Sequence, residues 1–292
     1  MVLLAGATGY LGQYILKELL EDSRDTKIVV RNTNKLSEAD LQNKKLTVAK
    51  AELTQAAALK GVCEGVDAII STVGITRQKD GLSYMDVDFQ ANMNLLKEAQ
   101  ASGVRKFVYV SVFRGNEFRD IKICAAKELF VDALKTSGLD YTVVRPNGYF
   151  SDMGEFFDMA KKGRVHLFGN GQCHINPIHG ADLAKACVAA ISSGEKELSL
   201  GGPEVYTFND IARLAFSVLG KKEKMMHIPD WLCKGILGLL RTFSSSKTYG
   251  PLEFLMTVLT HEMVAPKYGN HSLQDYFEEL NAGQGERTSI MS

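Results

Sequence analysis

The chain has 292 residues, 45% hydrophobic and 23% charged, enough to bury a substantial core in one large α/β domain with an appended lobe. Lysine plus arginine equals aspartate plus glutamate at 34 each, a balance that offers nothing to nucleic acid and favours a small-molecule ligand. The cysteines (Cys63, Cys124, Cys173, Cys187, Cys233) are scattered without CxxC or histidines at ligand spacing, which argues against a metal site and a disulfide framework and leaves reduced thiols as the default.

The first seventeen residues, MVLLAGATGYLGQYILK, carry the strongest signal. Met1 to Ala5 are apolar throughout, as in a parallel strand covered on both faces, and Tyr10, Leu11, Tyr14, Ile15 and Leu19 recur at helical spacing. Between them stand Gly6, Gly9 and Gly12. A glycine turn opening a helix gives a phosphate close backbone approach and N–H donors, and the helix dipole favours the negative charge. Gly6 would allow the turn, Gly9 the approach of a pyrophosphate, and Gly12 close packing of helix on strand. The GxxGxxG spacing differs from GxGxxG, but strand and helix contexts are both present.

TKIVVRN reads as a second strand ending at Arg31, where a basic residue accommodates a ribose 2′-phosphate; this favours NADP(H) over NAD(H), with Lys35 assisting. KLTVAKAEL is a short strand, and Thr54 is expected to cap a helix through Ala58, Leu59, Val62 and Cys63. VDAIISTVG is a fourth strand whose small-residue end, Ser71 to Gly74, lies where ligands bind in open α/β sheets; Thr72, Val73 and Gly74 are expected to line the cofactor. A helix from Tyr84 to Ser102, a fifth strand RKFVYVSV ending at Ser111, a helix ICAAKELFVDALKTSG and a sixth strand DYTVVRP complete the alternation. The predicted fold is a doubly wound parallel sheet of the Rossmann type over residues 1–146.

From Asn147 the rhythm changes, and no further regular βαβ unit is expected. FSDMGEFFDMAKKG reads as a helix, RVHLFGNGQCHINPIHG as a short strand with turns, ADLAKACVAAISSG as a small-residue helix, and TFNDIARLAFSVLG as an amphipathic helix capped by Thr207. Residues 147–282 should form a smaller substrate lobe with C-terminal helices packed on the core, and 283–292 a disordered tail. The apolar stretches WLCKGILGLL and PLEFLMTVL fit an interfacial helix, a substrate lid or ordinary packing; short length and few basic residues make packing the commonest case and membrane contact the rarest. With a first apolar run too short for a signal peptide and no bilayer-length apolar stretch, the expectation is a soluble, cytoplasmic protein. Oligomeric state is not legible.

With GATGYLG, Arg31, VDAIIST, YVSV, YTVVRP and PIHGADLAKA in hand, the chain resembles the atypical short-chain dehydrogenase/reductases over roughly residues 1–222. Within them it looks most like the NmrA-like and isoflavone-reductase-like branch that also holds the divinyl chlorophyllide reductases. The resemblance implies that Gly6, Thr8, Gly9, Tyr10, Leu11 and Gly12 bind the pyrophosphate of NADP(H) and that Arg31 meets the adenosine phosphate. It places Glu52, with Leu53 beside it, near the adenine, where the family has Asp. Pro146 to Phe150, including Asn147, would flank the nicotinamide.

Typical members use a serine, a tyrosine and a lysine, because hydride transfer to a carbonyl develops an alkoxide that must be protonated or stabilised. Ser111 and Lys127 match the serine and lysine, but the tyrosine position holds Ile123, which cannot transfer a proton. The loss weighs against ordinary alcohol or ketone chemistry and leaves reduction of an activated double bond, with Lys127 as acid or stabiliser, or simply as a ligand of the cofactor ribose. Tyr149, next to the nicotinamide segment, is the leading alternative proton donor, while His174 and His179 read as hydrogen-bonded structural residues. Two readings stand: an NADPH-dependent reductase of a small, partly apolar substrate, and a non-catalytic NADP(H)-binding redox sensor or assembly protein. An epimerase or dehydratase is a weaker third, since such members keep the tyrosine.

Overall fold

A computed structural model describes residues 1–75, 81–243 and 246–283. In chain order the elements are β1 (Val2–Ala5), α1 (Tyr10–Glu21), β2 (Thr26–Val30), α2 (Glu38–Leu41), β3 (Leu46–Lys50), β4 (Ala68–Ser71), α3 (Asn92–Ala101), β5 (Lys106–Val110), α4 (Lys122–Lys135) and β6 (Asp140–Pro146). There follow α5 (Phe150–Lys161), β7 (Val165–Phe168), β8 (His174–Ile175), α6 (Gly180–Ala189), β9 (Glu197–Leu200), β10 (Tyr206–Thr207), α7 (Phe208–Val218), β11 (Met225–Ile228), α8 (Asp230–Phe243), α9 (Ser246–Thr260) and α10 (Leu273–Asn281). The chain divides into two units, Met1–Arg145 with Leu183–Leu198, and Pro146–Asp182 with Ser199 onward.

The first unit holds a seven-stranded sheet ordered β3-β2-β1-β4-β5-β6-β9. The pairs from β3 to β6 are parallel, with Leu4 opposite Ile28 on one side and Ile70 on the other. β1, β4 and β5 are buried at every position, which is why they read as unbroken apolar runs rather than alternating ones. Helical residues such as Leu95, Leu96, Phe130 and Leu134 close one face against Leu3, Ile69, Phe107 and Tyr109. The glycines placed after helices do their work in the left-handed region, Gly103 at φ 73° and Gly138 at φ 82°.

Two local expectations are corrected. Ala56–Leu59 is a single 3-10 turn flanked by Gln55, so Thr54 caps no helix; the run is too short to repay nucleation of an α-helix. The strand rhythm also does not stop at Pro146, because β9 returns beside β6: Val143 N–H donates to Lys196 O at 2.8 Å and Thr142 Oγ1 to Glu195 O at 2.6 Å.

In the second unit α5, α7 and α10 bury Phe157, Phe208, Phe216 and Phe277. Thr207 caps α7 as expected, its Oγ1 accepting the Asp210 N–H at 3.1 Å. Asn147 and Asn176 stitch the irregular segments: Asn147 Nδ2 donates to Asn176 Oδ1 at 2.8 Å and Met263 O at 2.5 Å, and Asn176 Nδ2 donates to Ala265 O at 2.8 Å. Helix α9 buries Met256 and Leu259. Helix α8 is more exposed. Arg241 Nε donates to buried Glu253 Oε1 at 2.8 Å and ties it to α9, yet Trp231, Leu239 and Phe243 stay 75%, 62% and 83% exposed. No described helix is long and apolar enough to cross a membrane. The tail from 284, where disorder is expected, lies outside the described residues, as do Ser244 and Ser245 between the two apolar stretches.

Candidate functional site

The carboxyl ends of β1, β4 and β5 bring together the glycine turn, Thr72 to Gly74 and Ser111. Gly6 has φ 88°, which only glycine adopts without strain, and it lies so close to Thr72 that any Cβ would strike Thr72 Oγ1. Gly9 N–H donates to Gly6 O at 3.0 Å, and the Thr72 hydroxyl donates to Ala5 O and Gly6 O, both at 3.3 Å. A Cβ on Gly12 would overlap Gly6 O and lie 2.8 Å from Gly6 C and 2.9 Å from Ala7 Cα, so helix and turn touch backbone to backbone.

Gly9 is the N-cap of α1, with no side-chain cap and no acidic residue in the first turn. The first N–H groups of a helix are satisfied by side chains, water or a ligand, and this helix presents them at an exposed glycine. The arrangement fits an anion such as a pyrophosphate. Leu11 is buried, so only its backbone is available to a ligand, while Thr8 and Tyr10 are half-buried, Tyr10 edge-on to Tyr14 at 5.3 Å.

Arg31 follows β2 directly and its side chain is 63% exposed, with Nε 3.9 Å from Glu52 Oε2. At that exposure and distance the pair contributes little to folding, and the guanidinium stays available to a second anion. Leu53 packs against the core, and its carbonyl accepts Asn94 Nδ2 at 3.0 Å.

Lys127 lies on α4 with its Nζ 2.9 Å from Asp88 Oδ1, the lysine 13% and the aspartate 0% exposed. Asp88 Oδ2 accepts the Ile75 N–H at 3.2 Å. Burial pushes the Asp88 carboxyl above its usual range, while Lys127 and the Ile75 N–H pull the other way. A Cβ on Gly74 would come 2.5 Å from Asp88 Oδ1 and 2.6 Å from Lys127 Nζ, so the end of β4 passes directly over this ion pair.

Ser111 is placed at the end of β5 and is 5% exposed. Its hydroxyl donates to Glu128 Oε1 at 3.0 Å, and Arg145 grips the same carboxylate through Nη1 at 2.6 Å and Nη2 at 3.0 Å. The serine proton is therefore committed to a buried carboxylate rather than offered to a substrate carbonyl. Ile123 is buried at the start of α4. Tyr109 sits beside Lys127, whose Nζ is 5.8 Å from the ring centroid, but it is fully buried within β5 and burial raises its hydroxyl well above the usual value. It is no substitute for the absent phenol.

Pro146, Asn147, Tyr149 and Phe150 belong to the second unit. Asn147 is spent on the Asn176 network, and Phe150 is 2% exposed between His179 and Tyr276 at ring distances of 5.5 and 5.7 Å. Tyr149 is the half-buried N-cap of α5, its N–H donating to Asp152 Oδ2 at 3.2 Å. His179 stacks on His271 at 4.2 Å, and its imidazole is pushed down to about 4 by burial and then by His271, so it stays neutral. His174 pairs with Glu262 at 3.1 Å on the surface.

Asp88, Glu128 and Arg145 escape the sequence reading. Each left a trace: Asp88 stands four residues after Tyr84 and three before Ala91, and Glu128 four after Cys124 and three before Val131, both on otherwise buried faces. Arg145 interrupts an apolar strand end. Among the described residues no group of histidine, cysteine and acidic side chains could hold a metal, and Cys63, Cys124, Cys173 and Cys187 form no disulfide.

A family model described as NAD(P)H-binding matches residues 6–193. The chain is 26% identical over 329 aligned residues to a divinyl chlorophyllide a 8-vinyl-reductase, chloroplastic, of Zea mays, covering 98% of this chain and 82% of that protein. It is 24% identical to a photosystem II assembly factor Ycf39 of Synechocystis, covering 83% and 74% of the two chains. In fold it is similar to an NADPH-dependent quinone oxidoreductase of Escherichia coli solved with NADPH, at TM-score 0.72, 20% identity and coverage of 96% and 100%.

Proposed function

The chain belongs to the NAD(P)H-binding family, and from that premise we propose that it is an NADPH-dependent reductase of a small, partly apolar substrate carrying an activated C=C or C=O bond. The observation that carries the reading is Lys127 on α4, its Nζ under Gly74 beyond β4, with Ile123 in the tyrosine's place. Bound at the glycine turn, the reduced cofactor supplies a hydride. Gly6 to Gly12 and the open first turn of α1 hold its pyrophosphate, and Arg31 takes the 2′-phosphate, which sets NADP(H) above NAD(H).

Without a phenol at 123, a ketone's developing alkoxide has no proton donor at the customary place, whereas hydride addition to an activated double bond leaves a delocalised anion that a Lys127 N–H can stabilise by hydrogen bonding even with its charge balanced by Asp88, before carbon takes up a proton. A maize relative whose name is an 8-vinyl-reductase supports the C=C arm. Tyr149 is the proposed proton donor. The reading keeps the protein in the cytoplasm, without nucleic acid, with a small molecule as its partner.

A second reading is a non-catalytic NADP(H) sensor or assembly protein. Ser111 committed to Glu128 favours it, as does a relative named as an assembly factor. The two part on turnover. Incubation with NADPH and a panel of enones, quinones, vinyl-substituted aromatics and ketones, followed at the nicotinamide absorbance, should show oxidation with an activated alkene or quinone and little with simple ketones. Failure of every member of the panel, with NADPH still bound, would leave the sensor.

A further inference from the structure

The buried pair under Gly74 does something the pyrophosphate cradle cannot. The sheet runs β2-β1-β4-β5, with Arg31 at the end of β2, the glycine turn at the end of β1, and Gly74 with Lys127 beyond β4. A dinucleotide whose pyrophosphate rests on α1 and whose phosphorylated ribose meets Arg31 therefore extends its other half toward Lys127. That half changes charge on reaction: the oxidised nicotinamide ring carries a positive charge and the reduced ring none. An unpaired lysine there would repel the oxidised form selectively.

Asp88 is placed to balance that charge. It stands in the π-helical stretch Met85–Ala91, a wide turn that sets its carboxylate inward, wholly buried, 2.9 Å from Lys127 Nζ and fixed by the Ile75 N–H at 3.2 Å. Such stretches recur where a helix must aim one side chain at a functional site. Next to it Asn92 Nδ2 donates to the Asp88 carbonyl at 2.9 Å and to Val73 O at 3.1 Å, and Asn92 Oδ1 accepts from Ser71 Oγ at 2.6 Å, so helix and strand end are locked together around the pair.

We propose that Asp88 sets the relative affinity for the two redox forms of the cofactor, by making the Lys127–Asp88 pair net neutral beside the nicotinamide half, and so levels the binding of NADP+ and NADPH. The inference rests on the reading of the glycine turn as an NADP(H) site. Asp88 acts through Lys127 and is a positioning and charge-setting residue.

The test is equilibrium binding of NADP+ and NADPH by calorimetry to wild type, Asp88→Asn and the double variant Asp88→Asn with Lys127→Met, each checked for a cooperative thermal melt. Asparagine keeps the shape and an oxygen for the Ile75 N–H but exposes the lysine charge, so the ratio Kd(NADP+)/Kd(NADPH) should rise at least tenfold. Removing both charges should return it to within threefold of wild type. A purely structural role would weaken both forms together. An unchanged ratio in Asp88→Asn overturns the proposal. If that variant does not fold, a tenfold fall of the ratio in the double variant overturns it equally, because wild-type Lys127 would then have acted as a lone cation. Wild type that binds neither form would instead overturn the NADP(H) reading beneath it.

Discussion

Gly12→Ala should lose NADPH affinity by at least a hundredfold, about 2.7 kcal/mol, and destabilise the fold by about 1–3 kcal/mol. The new methyl would overlap Gly6 O and crowd Gly6 C and Ala7 Cα at 2.8 and 2.9 Å, all backbone atoms that no rotamer change can clear. Either α1 slides away from β1 or the turn opens, and each moves the first-turn N–H groups away from the phosphate position. Gly9→Ala is the instructive contrast. Its Cβ would meet nothing nearer than Gly6 O at 3.4 Å, and its backbone at φ −82° suits any residue, so the fold should hold within about 1 kcal/mol. The methyl would nevertheless stand on the exposed face where the pyrophosphate approaches. Calorimetric titration with NADPH and urea denaturation of both variants separate the two roles: Gly12→Ala loses stability and affinity, Gly9→Ala loses affinity alone. Equal and wild-type affinity in both would mean that the turn does not carry the cofactor.

The second large effect concerns Glu128→Ala, which should cost about 3–5 kcal/mol. Glu128 is 1% exposed and receives both Arg145 Nη atoms and the Ser111 hydroxyl, so truncation strands a guanidinium whose side chain is 4% exposed. Among the described residues Arg145 then keeps its Nε bond to Glu197 Oε2 at 3.0 Å and the long Nη1 contact to Val112 O at 3.4 Å. Replacing both members together, Glu128→Leu with Arg145→Met, should recover most of the loss, because the desolvation cost of the two charges disappears with their attraction. Urea unfolding of the single and double variants measures this. A single variant within about 1 kcal/mol of wild type would show that water enters and solvates the stranded Arg145 guanidinium, since the other charge near Glu128, Arg119 with its Nη2 4.0 Å from Glu128 Oε2, is itself a cation.

What the sequence revealed and what it hid follow physical lines. Strands buried on both faces announce themselves as apolar runs, and β1, β4 and β5 do so because helices cover the sheet on each side. Glycines forced by backbone contact or positive φ mark turns unambiguously, as Gly6, Gly12, Gly103 and Gly138 do. By contrast, β9 is a four-residue edge strand, ELSL, with only Leu200 buried, so it offers no run to read. The buried charges were masked by helical context: Asp88 and Glu128 occupy core-facing positions of helical stretches, and nothing local says whether such a residue faces water or a partner that arrives from another element. Helix α8 misleads in the opposite direction. Its periodicity is that of a packed helix, yet Leu232, Ile236, Leu239 and Phe243 fall on one stripe that the structure leaves exposed.

The central claim is that this glycine turn, with Arg31 at its side, selects a phosphorylated nicotinamide dinucleotide. Calorimetric titration of wild type and Arg31→Ala with NADP+, NADPH, NAD+ and NADH tests it most directly. The account predicts that the phosphorylated forms bind wild type at least tenfold tighter, a gap of about 1.4 kcal/mol, and that Arg31→Ala erases the gap while leaving NAD(H) affinity unchanged. Binding of none of the four to folded wild type would contradict it.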